Sequence, residues 1–132
     1  MNKSRISTVS STYEKTITPS DSYITKSVRI ENLMSTPALL ATIIEISWNM
    51  LIPYIPQDHV TVVTSFQSNH FHPTMVGEKV QITMALESIE FNRVHMSFVC
   101  NDHKGEFCSG ILEKAIVKNE KLLVEAYKRV KM

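Results

Sequence analysis

One stretch limits the architectures open to this chain. Thr36-Pro37-Ala38-Leu39-Leu40-Ala41-Thr42-Ile43-Ile44-Glu45-Ile46-Ser47-Trp48-Asn49-Met50-Leu51 reads as one long helix, and no other segment is so apolar over that length. Leu39/Leu40, Ile43/Ile44, Ser47 and Met50/Leu51 recur at the spacing a buried helical face requires. Pro37 suits a first helical position, where its missing N–H would have had no partner. That makes Thr36 the expected N-cap, its hydroxyl accepting from a backbone N–H one turn on. Pro53 stops the helix, with Pro56 close behind. Between Leu33 and Gln57 the only charged residue is Glu45. A carboxylate in such a run must be solvated, paired or functional, because burying it alone is costly. A helix this apolar needs cover, and the rest of the chain is expected to wrap it.

The remainder is written in strands. Tyr13-Glu14-Lys15-Thr16-Ile17-Thr18 alternates weakly and is rich in β-formers, which predicts a first strand before the turn residues Pro19-Ser20-Asp21-Ser22. From 23 to 34 the apolar residues Tyr23, Ile24, Val28, Ile30 and Leu33 keep neither period, so a packed loop or a short strand is expected. Val60-Thr61-Val62-Val63-Thr64-Ser65-Phe66 is β-branched and predicts a strand running on toward Phe71. Val80, Ile82, Met84 and Leu86 share one face of the following strand, and Val94, Met96, Phe98 and Cys100 one face of the next. Asn101-Asp102-His103-Lys104-Gly105 is a hairpin signal, with the return strand from Phe107 to Val117. A second helix opens at Asn119-Glu120-Lys121 and carries Leu122, Leu123, Ala126, Tyr127 and Val130 on one face. Strand, long helix, four sequential strands and helix predict an α+β fold, an antiparallel meander with the apolar helix lying across it. Residues 1–11 are expected to be a flexible N-terminal tail and 12–132 a single domain.

Composition excludes several classes of function. The formal net charge is +1, and the longest basic run is the short Lys128-Arg129-Val130-Lys131, which argues against nucleic acid as a partner. Cys100 and Cys108 are too few for a disulfide framework and form no C-x-x-C pair, so a reducing, cytoplasmic setting is the simplest fit. The first residues lack the apolar core of a signal peptide, and the central helix, interrupted by Glu45 and Asn49, is expected to be too short to span a bilayer. A soluble protein without a membrane partner follows as the expectation.

Three groups of residues invite chemistry. Glu45 falls either on a solvated stripe with Ala38, Ala41, Thr42 and Asn49, or in a cleft where desolvation would fit it for general-base work. In Asn69-His70-Phe71-His72-Pro73, strand alternation would put His70 and His72 on one face, as strand-end histidines, as acid/base groups, or as metal ligands with His59 and His95. No carboxylate or third histidine stands at a typical ligand spacing, so no metal and no cofactor is assigned. Ser35 and Thr36 sit at the positive end of the long helix, where free N–H groups hold a carbonyl oxygen or an oxyanion. Capping is the plain alternative role there.

These residues resemble a family. From about Thr12 to Val117 the sequence is similar to the hotdog-fold thioesterases, and among them to the fluoroacetyl-CoA thioesterase-like group. The resemblance rests on Ser35-Thr36-Pro37-Ala38-Leu39 and Pro53-Tyr54 at the two ends of the helix, and on Gly110 with Glu113-Lys114-Ala115-Ile116-Val117. Its most specific part is His70-Phe71-His72-Pro73-Thr74-Met75-Val76-Gly77-Glu78-Lys79-Val80, similar to the family's His-x-x-Pro-Thr-x-x-Gly-x-x-Val. The resemblance implies a hotdog fold and a homodimer hydrolysing an acyl-CoA thioester at a site between subunits. It implies Thr36, Glu45 and His70 as catalytic residues, with Ser35, Val63 and His72 contacting substrate. Glu45 stands one residue past the family's glutamate position, which falls here on Ile44; that step is about 100° round a helix. Val63 replaces a glycine and Leu112 a final-strand histidine. A hotdog module that binds an acyl-CoA or another apolar ligand without turnover is the alternative, favoured by the displaced glutamate. A hydratase-type hotdog enzyme should carry an Asp/His motif, which is not found.

Overall fold

In the computed structural model, which describes residues 9–131, the period-two alternation of the sequence becomes the inner face of an antiparallel sheet. The elements run β1 (Val9–Thr16), β2 (Ser22–Ile24), β3 (Arg29–Met34), α1 (Thr36–Leu51), β4 (His59–His70), β5 (Lys79–Glu90), β6 (Arg93–Asp102), β7 (Gly105–Lys118) and α2 (Asn119–Lys131). Short 3₁₀ turns occupy Pro19–Asp21 and Ile52–Tyr54. Val80, Ile82, Met84 and Leu86 of β5 and Val94, Met96, Phe98 and Cys100 of β6 are all buried, while their neighbours in sequence face outward. Against them lie Leu39, Ile43, Ile46 and Leu51 of α1. Full burial of each such side chain contributes about 1.5–3 kcal/mol. The apolar stripe read from the sequence is thus the seam between helix and sheet.

Strand order departs from the expected meander of four. The five-stranded sheet runs β1-β5-β6-β7-β4, antiparallel throughout, so only β5, β6 and β7 follow one another as neighbours. The physical reason is the connection after β4. Residues 71–78 contain Pro73 and end in a turn at Gly77, whose φ of 101° suits glycine. That segment is too long for a tight hairpin, and β4 pairs with β7 instead, at the edge of the sheet. Two other expectations shift. β1 already begins at Val9, so residues 9–11 of the expected tail pair with β5, and the rest of that tail lies outside the described residues. The stretch 23–34 forms the two-stranded β2–β3 hairpin, with Tyr23, Ile24, Val28 and Ile30 exposed.

With the following 3₁₀ turn, Thr36–Tyr54 spans 19 residues at a hydropathy of 1.2, long and apolar enough by composition alone to cross a membrane. The expectation that it is too short therefore fails. Only 28% of that span is buried: Leu39, Ile43 and Leu51 are wholly buried on the sheet, while Leu40, Ile44, Trp48 and Met50 are half-buried and Ile52 is exposed. The apolar residues of α2, by contrast, stay exposed: Leu122, Leu123, Tyr127 and Val130 pack into no core.

Candidate active site

The start of α1 is fixed by what precedes it. The Asp21 carbonyl accepts from the Ser35 N–H at 2.8 Å, tying the helix entry to the 3₁₀ turn at Pro19–Asp21. Burial pushes the Asp21 carboxyl up, but bonds from the Thr18 N–H (2.8 Å), the Lys15 ammonium (3.2 Å) and the Thr18 hydroxyl together hold it below the usual carboxylate range. Ser35 is extended (φ −82°, ψ 149°), and its Oγ accepts from the Ala38 N–H at 3.1 Å. Ser35, and not Thr36, is therefore the N-cap. One residue decides the matter, because Pro37 is tolerated at the second helical position as well as the first.

That shift releases the Thr36 hydroxyl, whose Oγ1 lies 3.2 Å from Nδ1 of His70. His70 ends β4, in register with Cys108 of β7, and its ring lies 5.7 Å from that of Phe107. Its other nitrogen, Nε2, is buried and has no hydrogen-bond partner among the described residues. An orphaned buried polar atom costs about 1–3 kcal/mol, which marks this nitrogen as the place where the pair expects a partner. The helix N-terminus offers little besides. Pro37 has no N–H, and those of Ala38 and Leu39 bond to the Ser35 side chain and carbonyl. The Thr36 N–H is the one backbone donor of the first turn left for a ligand.

The remaining sequence candidates fall elsewhere. Glu45 is exposed on the outer stripe of α1, beside a shallow hollow lined by Ser20, Asp21, Ala38, Ala41, Thr42 and Ile46, with no bond to Thr36 or His70. Nine residues separate it from Thr36, about 13 Å of helix rise. The cleft position is thus not what the single chain shows; the solvated stripe is. Val63 lies at a bulge in β4 opposite Lys114, 39% exposed and far along the strand from His70. His72 has left the strand and is exposed, so it does not share a face with His70. It borders a hollow of about 450 Å³ formed with Pro73 and the β6–β7 turn (Asp102, His103, Lys104, Gly105, Glu106). His59 bonds the Gln57 carbonyl (2.8 Å) and His95 pairs with Glu113 (3.2 Å), so neither joins His70 in a ligand set.

One polar residue was not singled out as chemical. Lys114 is only 2% exposed, and its Nζ donates to Ser47 Oγ at 2.9 Å. Ser47 in turn donates to the Ile44 carbonyl at 2.6 Å. Burial lowers the ammonium to about 8, with the Glu45 charge pulling the other way. The signal was present in the sequence: Leu112, Lys114 and Ile116 alternate, which places a lysine on the inner face. Gly110 is explained by the same face. A Cβ there would stand 2.6 Å from the Phe98 ring and would collide with the Gln67 carbonyl.

A sixteen-residue helix packed on a five-stranded antiparallel sheet is the architecture of the hotdog-fold thioesterases. The chain belongs to the fluoroacetyl-CoA-specific thioesterase family, whose sequence model matches residues 17–120. Among solved structures it is similar to a hot-dog-like protein from Thermanaerovibrio acidaminovorans, at 25% identity and TM-score 0.81, covering 92% of this chain and 90% of that one. It is similar also to the fluoroacetyl-CoA thioesterase FlK, at 18% identity and TM-score 0.84, covering 93% and 96%. A mutant of that enzyme in complex with fluoroacetate and CoA matches at 19% identity and TM-score 0.81, covering 89% and 98%. None of the curated proteins compared with the chain matches it.

Proposed function

We propose that this protein is an acyl-CoA thioester hydrolase, cytoplasmic and homodimeric, in which Thr36 and His70 form the catalytic pair. The observation that carries the reading is the 3.2 Å contact between Thr36 Oγ1 and His70 Nδ1, which leaves Nε2 buried and unpartnered. Thr36 fixes the imidazole through Nδ1, so the lone pair of Nε2 is available to take a proton from water. The resulting hydroxide adds to the thioester carbonyl, and the Thr36 N–H at the helix N-terminus stabilises the oxyanion. Collapse breaks the C–S bond, and the proton on Nε2 passes to the departing CoA thiolate. The products are a carboxylic acid and free CoA. Complexes of a family member with fluoroacetate and CoA support the substrate class.

The dimer reading rests on β4. It is a twelve-residue edge strand that carries His70 at its end, and long edges are normally covered in solution. Pairing with a second copy would cover that edge and wall the pair. Ser35 serves as the cap that frees Thr36, while Val63 along β4 and His72 beyond its end serve as contacts for more distant parts of the substrate.

A panel of short- and medium-chain acyl-CoAs, followed by the appearance of free thiol, tests the reading. Turnover of at least one member that depends on His70 is the expected result. The outward position of Glu45 favours one other reading, a module that binds acyl-CoA without hydrolysis, because no carboxylate assists the pair. Binding without thiol release across the panel would establish that alternative.

A further inference from the structure

Cys100 stands on β6 before the hairpin turn and Cys108 on β7 after it. The fold makes them a pair. They lie directly opposite one another on β6 and β7, both on the inner face and both 0% exposed. Opposed residues of an antiparallel pair have Cα atoms about 4.5–5.5 Å apart, inside the 4.4–6.8 Å that a disulfide spans. The row continues to β4, where Cys108 is in register with His70. Three adjacent strands therefore place thiol, thiol and imidazole in one line at the floor of the Thr36–His70 site. We infer that Cys100 and Cys108 form a modification site, a dithiol that a peroxide closes reversibly into a cross-strand disulfide.

The two sulfurs are not equivalent. The neighbouring Cys108 thiol, with burial and the Glu106 charge, pushes the Cys100 thiol up. The same neighbour lowers Cys108, against burial and Glu106, and Cys108 is also the one of the two that lies in register with the His70 imidazole, so Cys108 is the attacking sulfur. Its thiolate attacks one peroxide oxygen; the O–O bond breaks, hydroxide takes up a proton and leaves as water, and Cys108 becomes a sulfenic acid. Cys100 then attacks the Cys108 sulfur, losing its own proton, and the S–O bond breaks to release a second water. Two thiols are oxidised to one disulfide and one peroxide is reduced to two waters. Both sulfurs are buried, with Cys100 beside Ile82 of β5 and Cys108 beside His70 of β4, so the peroxide enters when the end of the hairpin opens. Only the rows Asn101–Glu106 and Asp102–Gly105 lie between the pair and the turn, and the register shifts immediately after Cys100. Such a short, irregular end opens at a lower free-energy cost than the body of the sheet.

The sequence supplies a direct assay, because trypsin cuts at Lys104 between the two cysteines. Full-length protein is treated with low hydrogen peroxide, alkylated under denaturing conditions and digested without reduction. The expected result is that peptide 94–104 appears covalently joined to peptide 105–114 and separates on adding dithiothreitol, while the denatured thiol count falls from two to zero. In Cys100→Ser the linked pair is absent and Cys108 accumulates as a sulfenic acid that dimedone traps. Two free thiols after peroxide treatment, or a wild-type Cys108 carried to sulfinic acid with no linked pair, would overturn the proposal. Neither readout depends on turnover, so the result stands apart from the thioesterase reading.

Discussion

Two polar groups enter the interface between α1 and the sheet, and they are built in opposite ways. At the middle of the helix Lys114 is buried and donates to Ser47, and the Ser47 hydroxyl donates in turn to the Ile44 carbonyl. At the N-terminal end His70 meets Thr36 with one nitrogen and leaves the other with no partner among the described residues. The first is a closed chain that locks helix to sheet. The second carries an unmet bond, which destabilises the protein unless something binds there. Buried polar groups are nearly always satisfied; Thr61 Oγ1 and Thr74 Oγ1 are also without a partner among the described residues, but of the three only the imidazole nitrogen belongs to a side chain that acts as a general base. The contrast teaches that burial alone does not mark a site. Lys114 is the more buried of the two, yet its hydrogen-bond partner, Ser47, belongs to the scaffold.

Breaking the open end should have the largest effect. His70→Ala is expected to lower thioester turnover by about 10²–10⁴-fold, the usual contribution of a proton-transfer group, with far-ultraviolet circular dichroism unchanged. His72→Ala, off the strand and exposed, should keep most of the activity. Equal losses from the two would show that the pair is not what carries the reaction.

The closed end should respond through stability. Because burial depresses the Lys114 ammonium to about 8 from its ordinary 10.5, the unfolded chain holds a proton between these values that the folded chain has released. This residue's contribution to stability therefore rises with pH across that window and is flat below it, by up to roughly 3 kcal/mol in total. Urea unfolding at several pH values, wild type against Lys114→Met, isolates the slope; parallel curves would refute it. At neutral pH the Met substitution itself should stabilise by about 1–3 kcal/mol, since it removes a buried charge of similar volume. Ser47 keeps its bond to the Ile44 carbonyl in that variant.

Smaller effects sharpen the boundary between the two ends. Ser35→Ala removes the cap and should cost about 1 kcal/mol in thermal or urea unfolding. A neutral result would return the capping role to Thr36. Glu45→Gln alters a charge on the outer stripe and should change stability by no more than about 0.5 kcal/mol. It should also leave turnover within about twofold, the rate equivalent of that energy. A loss approaching that of His70→Ala would make the carboxylate catalytic, which requires it to act on a site outside its own chain.

What the sequence determined by itself was periodicity. The apolar stripe of 36–51 and the alternation in 79–86 and 94–100 already specify a helix laid on a half-buried sheet, because the side-chain repeats of 3.6 and 2 leave few alternatives. Thr36 and His70 were legible for a similar reason: a helix start and a strand end are punctuated locally by Pro37 and Pro73. What periodicity cannot carry is which way an element is turned and which strand it meets. The cap passed from Thr36 to Ser35 because the Asp21 carbonyl, fourteen positions earlier in the chain, holds Ser35 extended. Glu45 went to the outer stripe because Leu39, Ile43 and Leu51 claim the inner one, and a helix has a single rotation about its axis. β4 went to the edge beside β7, which set His70 against Cys108 and Cys108 against Cys100. Those contacts join residues far apart in the chain, and only the packed sheet, where strand order is settled by which faces can be buried together, brings them into line.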